Sequence, residues 1–139
     1  MPKSTLVDSN VLIDVWGAGE PVNNWSLDAL ATCRVEGFLV INPIVWSELA
    51  PSAPEEAWLE ELAAEFGLGR EAMPWSAAFL AGKAQLLYRR SGGARERALP
   101  DFLVGAHAVV AGHRILTRDS ARYRTYFPTV EIIAPDTYP

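Results

Sequence analysis

Short apolar runs alternate with helical patterns along this chain of 139 residues, and this alternation constrains the fold more than any other feature. The runs are rich in β-branched and large apolar residues, and apolar residues recur at helical spacing between them. Strands that alternate with helices need crossover connections, which join parallel strands. We therefore predict an α/β fold with a central, mainly parallel sheet. The predicted strands are Thr5–Val7, Phe38–Ile41, Arg114–Thr117 and Val130–Ile133.

Four longer helices are predicted from apolar spacing and from residues that begin or end helices. The first helix is capped by Ser26 and stops at Gly37. The second is an amphipathic outer helix, EEAWLEELAAEF, opened by Ser52 and Pro54 and ended by Gly67. The third is WSAAFLAGKAQLLYRR after Pro74, and the fourth is DFLVGAHAVVAG, from Pro100 and Asp101 to Gly112. The last is apolar nearly all round, so we expect it to be buried. The tract SGGARERALP before it is predicted to be a loop.

Length and composition predict one domain over residues 1–139, because half the residues are hydrophobic and a chain of this size can bury one hydrophobic core. The single cysteine, Cys33, excludes an internal disulfide. The N-terminus reaches Asp8 too soon for a signal peptide, and no apolar stretch approaches the roughly 20 residues that span a bilayer. We expect a soluble, cytoplasmic protein with no membrane partner.

Charge is divided unevenly along the chain. Residues 1–70 hold 11 acids and 3 bases, whereas residues 71–139 hold 6 acids and 9 bases, for a net charge of −5. A polyanion would meet attraction from the second half only. Bulk charge alone therefore argues weakly against a nucleic-acid ligand.

Acidic residues stand where the predicted strands end. Asp8 follows the first strand, Asp119 lies just after the third, Glu48 lies in the helix PIVWSEL after the second, and Asp101 lies in the first turn of the buried helix. Ligands of open α/β sheets bind at the carboxyl ends of the strands. Each acid alone could be a helix cap, a charge favoured by the helix dipole or a solvated side chain. Glu48 and Asp101 have apolar neighbours, so as buried carboxylates they need partners.

Four carboxylates brought together would repel one another unless a cation neutralised them. A set of oxygen ligands without His or Cys favours Mg²⁺ or Mn²⁺ over zinc. Such an ion makes a nucleophile of a bound water, and a second ion can stabilise a leaving oxygen. The acids therefore predict a metal centre suited to phosphoryl chemistry.

In chain order, the tracts LVDSNVLID, PIVWSEL, LPDFLVGAHAVVAG and ILTRDSARYRTYFP resemble the PIN-domain family, and most closely its VapC-like ribonuclease toxins. The resemblance runs from about Asp8 to Pro135. It implies a three-layer α/β/α sandwich and Mg²⁺-dependent endoribonuclease activity. It also implies a homodimer and inhibition by a small cognate antitoxin protein.

The resemblance assigns roles to particular residues. Asp8, Glu48, Asp101 and Asp119 match the family's acidic pocket. Asp8 and Asp101 would be direct metal ligands, Glu48 would bind the metal or act through a water, and Asp119 would support the ligands from outside or hold a second ion.

Polar residues beside the acids also match the family. Asn10 and Thr117 match residues that orient the acids and waters. Ser9 stands where the family often has threonine, a departure that keeps the hydroxyl.

Six arginines of the second half flank Asp101 and Asp119 and could contact RNA phosphates: Arg95, Arg97, Arg114, Arg118, Arg122 and Arg124. We predict RNA binding by Arg97, Arg118 and Arg122, with an ordinary solvated surface as the alternative. We expect His107 to be a core or supporting residue, His113 to be exposed, and Asp14 to be solvated or to support the acids.

Two other functions stay open. An aspartyl-phosphate phosphotransferase also starts with an aspartate after its first strand, but it usually has an acid two residues later and a downstream lysine. Here Asn10 occupies the position of that second acid, and Lys83 is the only lysine beyond Lys3. Both features disfavour a phosphotransferase. A non-catalytic module that binds a partner through its acidic pocket is the third possibility.

Overall fold

Five short strands form the sheet in the computed structural model, which describes residues 2–16, 23–93 and 98–139. They are β1 (Thr5–Val7), β2 (Leu39–Ile41), β3 (Leu68–Arg70), β4 (Arg114–Leu116) and β5 (Ile132–Ile133). Their order is β3-β2-β1-β4-β5, and every neighbouring pair is parallel. The predicted parallel sheet is confirmed.

Seven α-helices connect or flank these strands in the described part of the chain. They are α1 (Ser9–Trp16), α2 (Asn24–Glu36), α3 (Pro43–Leu49), α4 (Glu56–Glu65), α5 (Trp75–Arg90), α6 (Ala98–Ala111) and α7 (Ala121–Tyr126), with a 3-10 turn at Ala50–Ser52. Every residue of β1, β2 and β4 is buried, so helices must cover both faces of the sheet. The fold is the predicted three-layer α/β/α sandwich.

The edge strand β3 was not predicted. Its sequence LGR is short, contains a glycine and an arginine, and buries only Leu68. Glycine and charged residues are poor strand formers, so the local signal is weak. Pairing with β2 decides its conformation.

The start of α2 also differs from the prediction, which placed the cap at Ser26. The side-chain oxygen of Asn23 caps the helix by accepting a hydrogen bond from the Ser26 backbone N–H at 3.1 Å. The Ser26 hydroxyl instead donates to Asp14 Oδ2 at 2.7 Å. Either residue type caps well, so only the tertiary contact with Asp14 separates them.

The later helices follow the sequence prediction closely. Helix α5 has the predicted extent, and α6 begins at Ala98, two residues before the predicted start. Buried Phe102, Val104 and His107 confirm that α6 lies in the interior, although Val110 near its end is 42% exposed. Within the described ranges, no helix has the length and apolar content needed to cross a membrane.

Candidate active site

The carboxyl ends of four strands meet at one edge of the sheet. Val7 pairs with Leu116, and Ile41 pairs with Arg70. The residues that directly follow the four strands are Asp8, Asn42, Glu71 and Thr117. Because these strands are parallel and adjacent, the four polar side chains emerge at the edge where α/β proteins bind ligands.

Asp8 lies at the centre of this edge and is only 4% exposed. Its Oδ1 accepts the Ser9 backbone N–H at 2.9 Å. Its Oδ2 accepts the Thr117 hydroxyl at 3.0 Å and the Tyr123 hydroxyl at 2.8 Å. Burial raises the pKa of Asp8, and these three hydrogen bonds lower it in part, while the charge of Asp119 raises it. The pKa stays above its ordinary value because burial outweighs the donors.

Glu48 is joined to Asp8 through Ser9. The Ser9 hydroxyl donates to Glu48 Oε1 at 3.1 Å, while the Ser9 backbone N–H serves Asp8. Burial raises the pKa of Glu48, and the charges of Asp8 and Asp101 raise it further. Helix α3 therefore brings Glu48 into the electrostatic field of the other acids.

Asp101 has an arginine partner. Arg122 Nη1 lies 2.6 Å from Asp101 Oδ2, and each side chain is 31% exposed. Burial and the charge of Asp8 raise the pKa of Asp101 to about 6, even though the Arg122 guanidinium acts to lower it. Burial and the neighbouring acids together therefore outweigh what one cation compensates.

Thr117 connects the remaining polar residues to Asp8. Its Oγ1 accepts the Asp119 backbone N–H at 3.1 Å and the Asn10 side-chain amide at 3.2 Å, while its hydroxyl proton goes to Asp8. Asn10 Oδ1 accepts the Arg118 backbone N–H at 3.1 Å. Asn10 and Thr117 thus hold the loop after β4 against Asp8.

The four predicted acids share one electrostatic environment but are not drawn tightly together. The charge of Asp8 acts on Glu48 and Asp101, and the charge of Asp119 acts on Asp8 and Asp101. Among described residues, however, no three of the four bring carboxylate oxygens within 4.8 Å of one another. Carboxylates without a shared cation repel, which accounts for this spacing.

The donor set of the acidic cluster fits a hard divalent cation. In the described part of the chain, no hydrogen bond reaches Glu48 Oε2, Asp101 Oδ1 or the side chain of Asp119. A bound cation would be coordinated by these free oxygens and would stabilise the ionised forms of Asp8, Glu48 and Asp101, whose pKa values are raised. All the candidate ligand atoms are oxygens, which suits Mg²⁺ or Mn²⁺.

A second polar cluster joins His107 of α6 to Glu71, which follows β3, and to His113, which precedes β4. Each residue contributes one side-chain atom that could bind a metal, and these three atoms lie within 4.8 Å of one another. Glu71 Oε1 lies 2.7 Å from His107 Nε2 and 2.8 Å from His113 Nε2. These two hydrogen bonds lower the pKa of Glu71 against the opposing effect of burial. His113, predicted to be exposed, has a side chain only 7% exposed.

Asn42 identifies this second cluster as a hydrogen-bond network. Its Oδ1 accepts the Val45 backbone N–H at 2.9 Å as the cap of α3, so its Nδ2 faces His107 Nδ1 at 3.1 Å. His107 Nδ1 must then accept, and its proton lies on Nε2 and points at Glu71. A metal on that Nε2 would leave two donors facing each other at Nδ1, contrary to the usual outer contacts of metal-bound histidine.

The predicted RNA-binding arginines have different surroundings. Arg122 contacts Asp101, and Arg118 forms an ion pair with Asp14. Asp14 therefore supports the loop that carries Asp119 through Arg118. Arg97, like Arg95, lies outside the described residues.

The sequence interpretation missed Tyr123 as a partner of Asp8. Tyr123 is 1% exposed and lies in α7, four residues after Asp119. Burial and the charge of Asp8 raise the pKa of its hydroxyl well above the ordinary value, so it remains a donor. A buried tyrosine usually finds a hydrogen-bond partner, but nothing local names Asp8 as that partner.

Comparisons with known proteins concern the fold that carries this site. The model of the PIN domain family matches residues 5–128. No curated protein gives a significant sequence match. Among solved structures, similarity is found to VapBC2 from Rickettsia felis, bound to a DNA fragment from its promoter, with TM-score 0.72, 13% identity and coverage of 94% of this chain and 98% of that one.

Two other solved structures are similar over nearly their full length. A toxin–antitoxin complex from Klebsiella pneumoniae gives TM-score 0.70 and 18% identity, covering 94% of this chain and 97% of that one. DNA-bound VapBC from Salmonella typhimurium gives TM-score 0.69 and 19% identity, covering 96% and 98%. At these identities the likeness concerns the fold.

Proposed function

Because the chain belongs to the PIN-domain family, we propose that it is a Mg²⁺-dependent endoribonuclease and the toxin of a toxin–antitoxin pair. The observation that carries the proposal is the environment of Asp8. This carboxylate is buried at the ligand-binding edge of the sheet, and its pKa is raised by burial and by the charge of another predicted site acid. Such an arrangement is costly for stability alone and useful for holding a cation.

In this proposal the four acids hold the metal. Asp8 and Asp101 are direct ligands, Glu48 binds the ion or a water on it, and Asp119 supports the ligands or holds a second ion. When bound, Mg²⁺ or Mn²⁺ would supply an activated water for attack on phosphorus and would stabilise the leaving oxygen. The residues that fix the orientation of the acids are the hydrogen-bonding partners Ser9, Asn10, Thr117 and Tyr123.

RNA is the proposed substrate, and arginines near the acids would contact its phosphates. Arg118 is 45% exposed and Arg122 is 31% exposed, so both reach solvent beside the site. Each is already paired with an aspartate, so contact with RNA requires these ion pairs to open or to be shared. Arg97 keeps its proposed RNA-binding role from its sequence position four residues before Asp101. Because its substrate would be cellular RNA, we place the protein in the cytoplasm.

A small antitoxin and a second copy of the chain are the proposed protein partners. The similar solved structures include toxin–antitoxin complexes, which supports an antitoxin for this chain. A neighbouring gene for a small DNA-binding protein would support the same role. Exposed aromatic side chains on α5 support a protein contact, because large exposed apolar groups mark interaction surfaces.

Cleavage of a labelled RNA in Mg²⁺, with EDTA as the metal-free arm, tests the proposal. We expect Asp8→Asn to lower the cleavage rate by about 100-fold or more, since even residues outside the ligand shell cost roughly 10- to 100-fold. Asp28→Asn is the matched control because Asp28 is an exposed acid on α2 with no hydrogen bond or ion pair to the four acids among the described residues. Its rate should equal that of the wild type.

The same assay separates the alternative functions. Cutting that survives both EDTA and Asp8→Asn would contradict a metal-dependent nuclease. Incorporation of phosphate at Asp8 would indicate a phosphotransferase, which the burial and hydrogen bonding of both Asp8 oxygens disfavour. Absence of any cleavage, with Mn²⁺ binding retained, would indicate an acidic-pocket binding module.

A further inference from the structure

Arg122 is held between an acid and an aromatic ring. Its Nη1 lies 2.6 Å from Asp101 Oδ2, and its guanidinium lies over the Tyr88 ring, 5.1 Å from the ring centroid. Charge-assisted contacts of this length are among the stronger hydrogen bonds. Stacking on the ring adds a cation–π contribution and restricts the guanidinium. The arginine is therefore positioned by two independent contacts.

Among the described residues, Arg122 is the one cation that forms an ion pair with any of the four acids. Arg118, the other arginine beside the cluster, pairs with Asp14 instead. Asp101 also experiences the charges of Asp8 and Asp119. A positive charge at Asp101 thus compensates repulsion that a divalent ion would otherwise compensate.

We propose that Arg122 is an internal counter-ion that competes with the divalent ion for Asp101 and so sets the metal affinity of the site. This inference rests on the proposed function, in which Asp101 is a metal ligand. A divalent ion that binds Asp101 must displace the guanidinium or share the carboxylate with it. Metal binding must then overcome the free energy of the Arg122–Asp101 ion pair, so the ion pair lowers the affinity for the metal. By the same linkage, a bound metal weakens the ion pair.

Mn²⁺ titration into the metal-free full-length protein, followed by calorimetry, tests this competition. We expect Arg122→Gln to lower the Kd for Mn²⁺ by about 2- to 5-fold, the range that a partly exposed ion pair contributes. Arg124→Gln is the matched control. Arg124 lies on the same helix and pairs with Asp136 at 2.7 Å, outside the four acids, so its loss should leave the Kd unchanged.

Thermal unfolding gives a second readout that does not depend on activity. In EDTA, Arg122→Gln should unfold at a lower temperature than the wild type, because the acids lose their counter-ion. In saturating Mn²⁺ the difference should shrink, because the metal replaces the arginine. A difference that is the same with and without Mn²⁺ would overturn the proposal and indicate an ordinary structural ion pair.

The outcomes also separate this inference from the proposed function. Equal or weaker Mn²⁺ binding by Arg122→Gln, with clear binding by the wild type, overturns the counter-ion role and leaves the metal centre in place. Absence of binding by both proteins contradicts both proposals. If Arg122→Gln does not fold, Tyr88→Leu replaces it, since loss of the ring loosens the guanidinium and should also lower the Kd. An unchanged Kd in Tyr88→Leu would then overturn the proposal.

Discussion

At the scale of single residues, the acids differ in how their charge is compensated. Asp8 receives three hydrogen bonds, Glu48 receives one from Ser9, and Asp101 receives the guanidinium of Arg122. The pKa of each of these acids is nevertheless raised, with burial as the largest cause. Their ionised forms therefore cost stability in the metal-free protein.

Asp101 gives the clearest pH dependence. Its pKa is about 6 in the folded protein against an ordinary value of 3.8, so the folded state holds the proton more tightly. The resulting stabilisation is complete below the ordinary pKa and is lost as the pH rises through about 6. The Asp101→Asn variant does not lose this stabilisation as the pH rises, because an asparagine side chain has no proton to release in this range. Relative to the wild type, it should gain on the order of 1 kcal/mol in free energy of unfolding between about pH 4 and pH 7, after a discount for partial exposure.

Urea unfolding in EDTA at about pH 4.5 and about pH 7.5 measures this effect. The difference between Asp101→Asn and the wild type should grow with pH, whereas Asp28→Asn should show no such growth. A difference that stays constant over the range would contradict the raised pKa of Asp101.

At the scale of elements, Asn42 connects α3 to α6. It caps α3 through Oδ1 and donates through Nδ2 to the buried His107, and it is itself 2% exposed. The helix that carries Glu48 is thereby fixed at its N-cap to the hydrogen-bond network of His107, Glu71 and His113. Asn23 caps α2 in the same way, but its side chain makes only that one described hydrogen bond.

We expect Asn42→Ala to lower the free energy of unfolding by about 2 kcal/mol, about 1 from the lost cap and about 1 from the unpaired Nδ1 of His107. Asn23→Ala should cost only about 1 kcal/mol, because it removes a cap alone. Chemical denaturation of both variants at one pH gives the comparison. Equal losses would show that the hydrogen bond to His107 contributes nothing.

Local pattern predicted some elements and missed others for a definable reason. Helix α5 was predicted over its whole length because its apolar spacing and its end signals are contained in its own sequence. Strand β3 has no such signal, since its three residues become a strand only by pairing with β2. Caps of equal intrinsic quality, such as Asn23 and Ser26, are likewise separated only by their tertiary partners.

At the scale of the whole molecule, α5 presents an apolar face to solvent. Trp75 is 93% exposed, Phe79 is 70% exposed and Leu86 is 40% exposed, and helical spacing places them on one side of the helix. The opposite side, with Ala77, Ala81 and Ala84, is buried. A second copy of the chain is the proposed occupant of the exposed face.

We expect Phe79→Glu to convert a dimer to a monomer, because a carboxylate at the centre of an apolar contact would lose its hydration. An ion pair with Lys83, whose Nζ lies 5.4 Å from the Phe79 ring centroid, does not fully offset that penalty. Val35→Glu is the control, as Val35 is 89% exposed on α2. Size-exclusion chromatography with light scattering measures both. A wild type that is monomeric at working concentration, or a Phe79→Glu protein that remains dimeric, would contradict the proposed dimer contact.

The sequence by itself determined the alternation of four of the five strands with helices, the parallel sheet and the placement of acids after strands. Each of these depends on residues within a few positions of one another, where spacing and turn chemistry act directly. Only the tertiary structure decided which side chains meet. Thr117 and Tyr123 contact Asp8 from 109 and 115 residues away, Arg122 pairs with Asp101, and His113 is covered by Ser4 and Glu71. Packing over such separations selects one partner among several of equal chemistry, and no local pattern records that selection.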